Sequence, residues 1–327
     1  MKKTLSIMGI SLLVLAVVSP VFVSAQEPIT IDYVTFVPRM HGISKVLLED
    51  LKAIEQKSGG RLKFNYRGGG EAIKVPLQAK AVRDGAVDMC VTSPDFYGKM
   101  VKGMGALSLS KLPVAKQRDK GVYDYMNSKF NPIGIQFLYV VPKEQGNMFH
   151  FYTKKAINTP ADFKGLSLAG TGIFDAIGPA LGMTPVAMQM HEQYTGLERG
   201  LVDVIRGGLD SVMAFKFYEV AKYIIKPGFG SAPASLYLNL KKWNSMPKDL
   251  QDLWVNSLYE MAPASEAKHI AMINGAFNAA QKKGMKVLEF QGADREYFLK
   301  TVEGAIYEQE SKDDPVAFKK VYDLVQN

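Results

Sequence analysis

Arg83-Asp84-Gly85-Ala86-Val87-Asp88 returns in the second half of the chain as Glu198-Arg199-Gly200-Leu201-Val202-Asp203. Each copy has a charged helix end, a glycine able to take positive φ, and an apolar strand that carries one aspartate. Around the first copy the sequence predicts strand, helix, strand, helix, strand. Residues 29–36 alternate as a strand does, and residues 44–57 place Val46, Leu47, Leu51 and Ile54 on one helical face before Ser58-Gly59-Gly60 stops them. Residues 61–66 alternate again, the glycines at 68–70 mark a turn, a helix runs through 78–83, and a short apolar strand ends at Thr92-Ser93-Pro94. Short links between such elements predict a parallel sheet. The second copy sits in a replay: a strand over 165–169, a turn at Gly170-Thr171-Gly172, a helix over 173–181, an extended stretch 184–188, a helix over 192–199 and a strand over 201–205. Two similar α/β lobes predict a ligand cleft between them.

The remaining chain fits around those lobes. From Pro247 to Lys283 the apolar residues Leu250, Leu253, Trp254, Leu258, Met261, Ile270, Ile273 and Phe277 recur at helical spacing. Pro263 lies inside that run, and proline removes a backbone donor and crowds the preceding turn, so two helices or one bent helix are expected. Residues 287–290 read as a late strand, and the rest of the chain is helical and polar.

Composition narrows the class. The 327 residues hold 40 Lys+Arg against 32 Asp+Glu, a formal charge of +8, but no basic run that would ask for nucleic acid. The single cysteine forms no internal disulfide and rules out a cysteine-cluster metal site, and the four histidines lie far apart in sequence. Neither a metal nor a cofactor is expected. Lys2-Lys3, an apolar stretch over 5–23 and Val23-Ser24-Ala25 are the parts of a secretory signal peptide, with cleavage expected after Ala25. The product is then expected to be periplasmic.

Catalytic motifs do not assemble. Gly170-Thr171-Gly172 opens like a dinucleotide fingerprint but has Asp175 where the third glycine belongs. Gly68-Gly69-Gly70 lacks the ending of a phosphate loop, and His191-Glu192 has Thr195 where a second zinc-binding histidine would stand. No Gly-x-Ser-x-Gly elbow is present. No catalytic residue is assigned.

Several segments resemble the extracytoplasmic solute-binding proteins of TRAP (tripartite ATP-independent periplasmic) transporters, of the dicarboxylate-binding type. They are Thr159-Pro160-Ala161-Asp162-Phe163-Lys164-Gly165-Leu166, Glu192-Gln193-Tyr194 with Gly200-Leu201-Val202-Asp203, Lys216-Phe217-Tyr218-Glu219-Val220-Ala221-Lys222-Tyr223, and Lys242-Trp243-Asn244-Ser245-Met246-Pro247. Gly59-Gly60-Arg61-Leu62 and Asp84-Gly85-Ala86-Val87-Asp88 fit as well. The resemblance keeps its order over nearly the whole mature chain. It implies a two-lobed α/β periplasmic binding protein of type II-like architecture, an interlobe ligand cleft and a long helix bracing both lobes. The expected division is a signal peptide over 1–25, lobe I over 26–146 with 235–274, and lobe II over 147–234 with 275–327. The resemblance further implies a monomer that takes a small-molecule solute and hands it to small and large TRAP membrane subunits.

At the ligand site the chain departs from that pattern. The family's substrate-clamping arginine falls on Ala169, a second family arginine falls near Phe149, and the family's Glu-Asn-Pro is replaced by Arg206-Gly207-Gly208. An arginine–carboxylate pair supplies both geometry and energy, so a simple carboxylate is not expected to be held in the usual way. By the same correspondence Phe36, Phe149, Ala169 and Met190 face the cleft, Thr92, Ser93 and Asp210 add polarity, and Arg206 beside Gly207 is the nearest replacement for anion binding. Arg39 and His41 are weaker candidates. Such walls suit an organic anion more apolar or aromatic than a four-carbon dicarboxylate. The rival readings are a secreted α/β enzyme using Asp88 or Asp203, and a sensing module not coupled to transport.

Overall fold

The computed structural model describes residues 27–97, 100–141, 147–170 and 172–326. The expected signal peptide and Thr171 of the second glycine turn lie outside the described residues. The strands are β1 (Ile29–Thr35), β2 (Leu62–Gly68), β3 (Met89–Thr92), β4 (Ile135–Val140), β5 (Phe149–Thr153), β6 (Ser167–Gly170), β7 (Thr184–Ala187), β8 (Val204–Gly208), β9 (Tyr223–Phe229), β10 (Ser235–Asn239) and β11 (Lys286–Glu289). They form two sheets, one ordered β2-β1-β3-β10-β4 and the other β11-β9-β5-β8-β6-β7. Within them β2-β1-β3 and β7-β6-β8 are the two expected parallel triplets.

The repeated hexapeptide does the same work in each triplet. Gly85 and Gly200 take φ of +78° and +72°, which turns the chain out of a short helix and into a strand. The Asp88 amide then donates to Asp32 O, and Asp88 Oδ2 accepts from Asp32 N at 2.9 Å. In the second lobe the Asp203 amide donates to Ser167 O, and Asp203 Oδ2 accepts from Ser167 N at 3.0 Å and from Ser167 Oγ at 2.8 Å. Both aspartates therefore clamp a strand to its neighbour.

The sheets are mixed rather than purely parallel as expected. β10 runs antiparallel to β3 and β4, and β5 runs antiparallel to β8 and β9. The reason is connectivity: β5 and β10 are entered from the other lobe, so the chain reaches the sheet at the opposite end. The two crossings lie side by side, with Val141 N donating to Ala234 O at 2.7 Å and Met148 N to Gly230 O at 3.0 Å.

Of the two outcomes expected around Pro263, the chain forms a single helix, Lys248–Lys282, of 35 residues. At 1.5 Å per residue it is about 50 Å long. Pro263 lies on the exposed side of the helix, where its ring does not enter the packed core, and the helix continues through it. The opposite stripe, Trp254, Leu258, Ala262, Ser265, His269 and Ile273, is buried. This helix packs on the helix Gly42–Lys57 of the first lobe and on the helix Leu209–Ala214 of the second, bracing both. The helix Gly292–Ser311 packs on the helix Phe174–Ala180 and β9, while Pro315–Gln326 packs on the segments Met104–Leu109 and Val122–Phe130.

Candidate functional site

In open α/β sheets ligands bind beyond the carboxyl ends of the strands. At that edge of the first sheet, Phe36 N donates to Val91 O at 3.0 Å, which fixes the segment after β1 beside the end of β3. The Phe36 ring lies 5.8 Å from that of Phe96. Thr92 and Ser93 are buried there, and Thr92 Oγ1 makes no hydrogen bond among the described residues. A cavity of about 660 Å³ is lined by Lys80, Arg83, Phe96 and Tyr97 together with Gly172, just past β6, and Gln309, Glu310 and Asp313 at the end of the helix Gly292–Ser311; none of the residues expected at the ligand site lines it. A separate cavity of about 390 Å³ lies away from these strand ends, between the helices Gly292–Ser311 and Pro315–Gln326.

On the second sheet the side chains of Val204 and Arg206 project to one face and that of Ile205 to the other, as strand geometry requires. The Arg206 guanidinium sits over the Phe174 ring, 4.1 Å from its centroid. A Cβ on Gly170 would stand 3.3 Å from Arg206 Nε, so the glycine leaves the space the side chain passes through. Phe149 meets Phe174 edge-on at 5.2 Å. The structure thus brings Phe149, Phe174 and Arg206 into one group at the ends of β6 and β8. Ala169 is fully buried in the opposite layer with Tyr152, Leu197 and Ile205. Met190 is half-buried on that layer, its Sδ 3.7 Å from Gln193 Nε2, and Gln193 Oε1 in turn accepts from Arg206 N at 3.0 Å.

Gly207 and Gly208 end β8. Tyr152 Oη donates to Gly208 O at 2.9 Å, and burial, with the Asp210 charge adding to it, pushes the phenol well above its ordinary pKa. It therefore remains a donor at any physiological pH. Asp210 opens the following helix and faces the other lobe, where His41 Nε2 lies 3.3 Å from its Oδ2. Of the two weaker candidates, His41 thus joins Asp210, while Arg39 lies over the Tyr66 ring at 5.8 Å, within the first lobe.

Two participants escaped the sequence reading. Phe174 looks like an ordinary helix-start core residue, and His269 sits on the buried stripe of a helix 228 residues after His41 in a chain of 327. Their only signal was position: Phe174 comes just after the glycine turn, and His269 keeps the i+4 spacing of a buried stripe. Among the described residues no group of three His, Cys, Asp or Glu is placed to hold a metal ion.

The model of the family described as bacterial extracellular solute-binding protein, family 7, matches residues 35–313. The chain belongs to this family. Its relatives include the 2,3-diketo-L-gulonate-binding periplasmic protein of Escherichia coli, 23% identical over 214 residues that cover 63% of this chain and 65% of that protein. The match to that relative thus spans just under two thirds of its length. A monocarboxylate 2-oxoacid-binding periplasmic protein of Nostoc is 24% identical over 285 residues, 83% of this chain and 76% of that one. A TRAP periplasmic solute-binding protein of Desulfovibrio salexigens, with bound orotic acid, superposes with a TM-score of 0.78 at 21% identity, covering 91% of this chain and 97% of that one. An apo open structure from Marinobacter aquaeolei also gives 0.78, at 16% identity over 91% of this chain and 100% of that one. These structural matches show the two-lobed TRAP solute-binding fold. Family 7 proteins are solute-binding proteins, and among the described residues no helix is long and apolar enough to cross a membrane.

Proposed function

We propose that this family 7 protein is a periplasmic receptor for a small organic anion with a flat or apolar body, which it grips by lobe closure and passes unaltered to small and large TRAP membrane subunits. The observation that carries the solute class is Arg206 over Phe174 at the ends of β6 and β8, one strand away from the buried Ala169. A guanidinium there supplies a planar fork for a carboxylate, and Phe149, Phe174, Phe36 and Phe96 supply apolar walls. Relatives that carry orotic acid or bear names for keto and oxo acids support an organic acid as the guest. In this reading Phe36, Thr92, Ser93, Phe149, Met190, Arg206, Gly207 and Asp210 surround the solute, with Ala169 behind them. Lobe I takes residues 26–146 with 235–274 and lobe II takes 147–234 with most of 275–327, except that the last helix, Pro315–Gln326, packs back on lobe I. The mature protein begins after Ala25 and acts as a monomer without catalysis.

The test is a melting-temperature screen over aliphatic carboxylates, keto acids, aromatic acids, sulfonates and amines, followed by calorimetry on the hits. Binding of an organic acid that is recovered chemically intact is the expected result. Arg206→Ala should weaken it by roughly two to three decades. Consumption of the hit by purified protein, or binding untouched by Arg206→Ala, overturns the assignment.

A further inference from the structure

Three elements meet at one point between the lobes. His41 closes the loop after β1 and caps the helix Gly42–Lys57, its Nδ1 accepting from Ile43 N at 3.3 Å. That bond leaves the ring's proton on Nε2, which lies 3.3 Å from Asp210 Oδ2 in the second lobe. Asp210 Oδ2 makes no aligned hydrogen bond, so the contact is a charge against a ring N–H rather than a well-directed bond. The two side chains are only 6% and 13% exposed, which leaves little water to screen them. Gly42 lets them meet: a Cβ there would stand 3.0 Å from Asp210 Oδ2 and 3.5 Å from Nε2 of His269 on the bracing helix. Its φ is not in the left-handed region, so the backbone does not require glycine at this position.

We infer that His41 and Asp210 form an interlobe latch, with Gly42 as its clearance, that biases the ligand-free receptor toward closure and so sets its solute affinity. They are positioning residues. They act on the solute through the closed population, because a receptor's apparent affinity scales with the fraction already in the binding-competent state. The inference rests on the receptor reading, but its test needs no solute.

Spin labels on Lys120→Cys in the first lobe and Lys155→Cys in the second report the interlobe distance, and the buried Cys90 stays unlabelled. In ligand-free protein the shorter-distance population should fall roughly three- to tenfold in His41→Ala and in Asp210→Ala. The double variant should fall no further than either single one. His41→Gln, which keeps an N–H donor, should recover much of the closed population. Gly42→Ala should open the protein without lowering its melting temperature, since alanine is the better helix former. Identical distance distributions in the wild type and all variants overturn the latch, as does a Gly42→Ala protein as closed as the wild type. A solute-induced melting shift that survives in His41→Ala while the distances stay unchanged would refute the latch and leave the receptor reading standing.

Discussion

Asp50→Asn should flatten a specific part of the protein's pH–stability curve. Asp50 lies on the inner face of the helix Gly42–Lys57, against the bracing helix. Its Oδ1 accepts from Ser265 Oγ at 2.7 Å, and its Oδ2 has no hydrogen bond. Burial raises its pKa from 3.8 to about 6, and the Ser265 hydroxyl only partly opposes that. Between about pH 4 and pH 6 the folded protein therefore holds a proton that the unfolded chain has released. Stability from this group is fully present below the lower value and lost as pH rises through the upper one. One pKa unit is worth about 1.4 kcal/mol, so carrying the bare charge at pH 7 costs about 3 kcal/mol. Asparagine keeps an oxygen for Ser265 and never ionises. Urea unfolding of wild type and variant from pH 4 to pH 7.5 is the assay, read as the difference between the two proteins. Over that range the difference should grow by about 2.4 kcal/mol in favour of the variant as pH rises. A constant difference would show that the carboxylate escapes desolvation when the protein is folded, and the account of the helix contact would be wrong.

His150 should do the opposite: burial lowers its pKa to about 4, so stability is lost as pH falls from about 6.5 toward 4 and His150→Gln should remove that acid limb. Its window overlaps that of Asp50, which is why each must be read against its own variant. Gly200→Ala meets no atom within 4 Å and should cost only the left-handed backbone term, about 1–2 kcal/mol by chemical denaturation, and Gly85→Ala about the same. Asp203→Ala removes an acceptor shared by Ser167 N and Oγ, but water can reach the site. It should lower stability by about 1–2 kcal/mol and leave solute binding within twofold; loss of binding at full stability would mean that Asp203 touches the solute rather than only clamping the strand.

Where the chain alternates or keeps helical spacing, its fold was legible. β1 with its succeeding helix and the two parallel triplets can be read from residue spacing, and Gly85 and Gly200 announce their own backbone geometry; spacing also marks 247–283 as helical, but Pro263 left two helices or one open, and the bracing role came from the family resemblance. β4, β5 and β10 do not read this way. Each is buried along its whole length, so both faces are apolar and the period of two disappears. Those include the strands that reverse direction in each sheet, so the mixed topology stayed hidden with them. The site was legible only as a list of positions. Nothing local says that Arg206 would meet Phe174, which depends on how β6 and β8 pair within one lobe, or that His41 and Asp210 would converge on Gly42, which depends on how the two lobes face each other.

Duplication explains why binding chemistry and folding chemistry separate so cleanly here. A residue fixed by the repeat appears twice in the same role: Asp88 and Asp203 each clamp the neighbouring strand, and neither faces the other lobe's strand ends. A residue shaped by the guest has no reason to be copied, because the two lobes touch different sides of one molecule. In the proposed site, Arg206 and Phe174 in one lobe and Phe36 and Thr92 in the other would have that asymmetry. A latch adds a further constraint on such a design. If His41–Asp210 held the empty lobes closed by several kcal/mol, entry of the solute would be blocked; if it contributed nothing, the solute alone would have to drive closure. A contact of about 1 kcal/mol shifts the closed fraction about fivefold, enough to raise affinity while leaving the open form populated for capture.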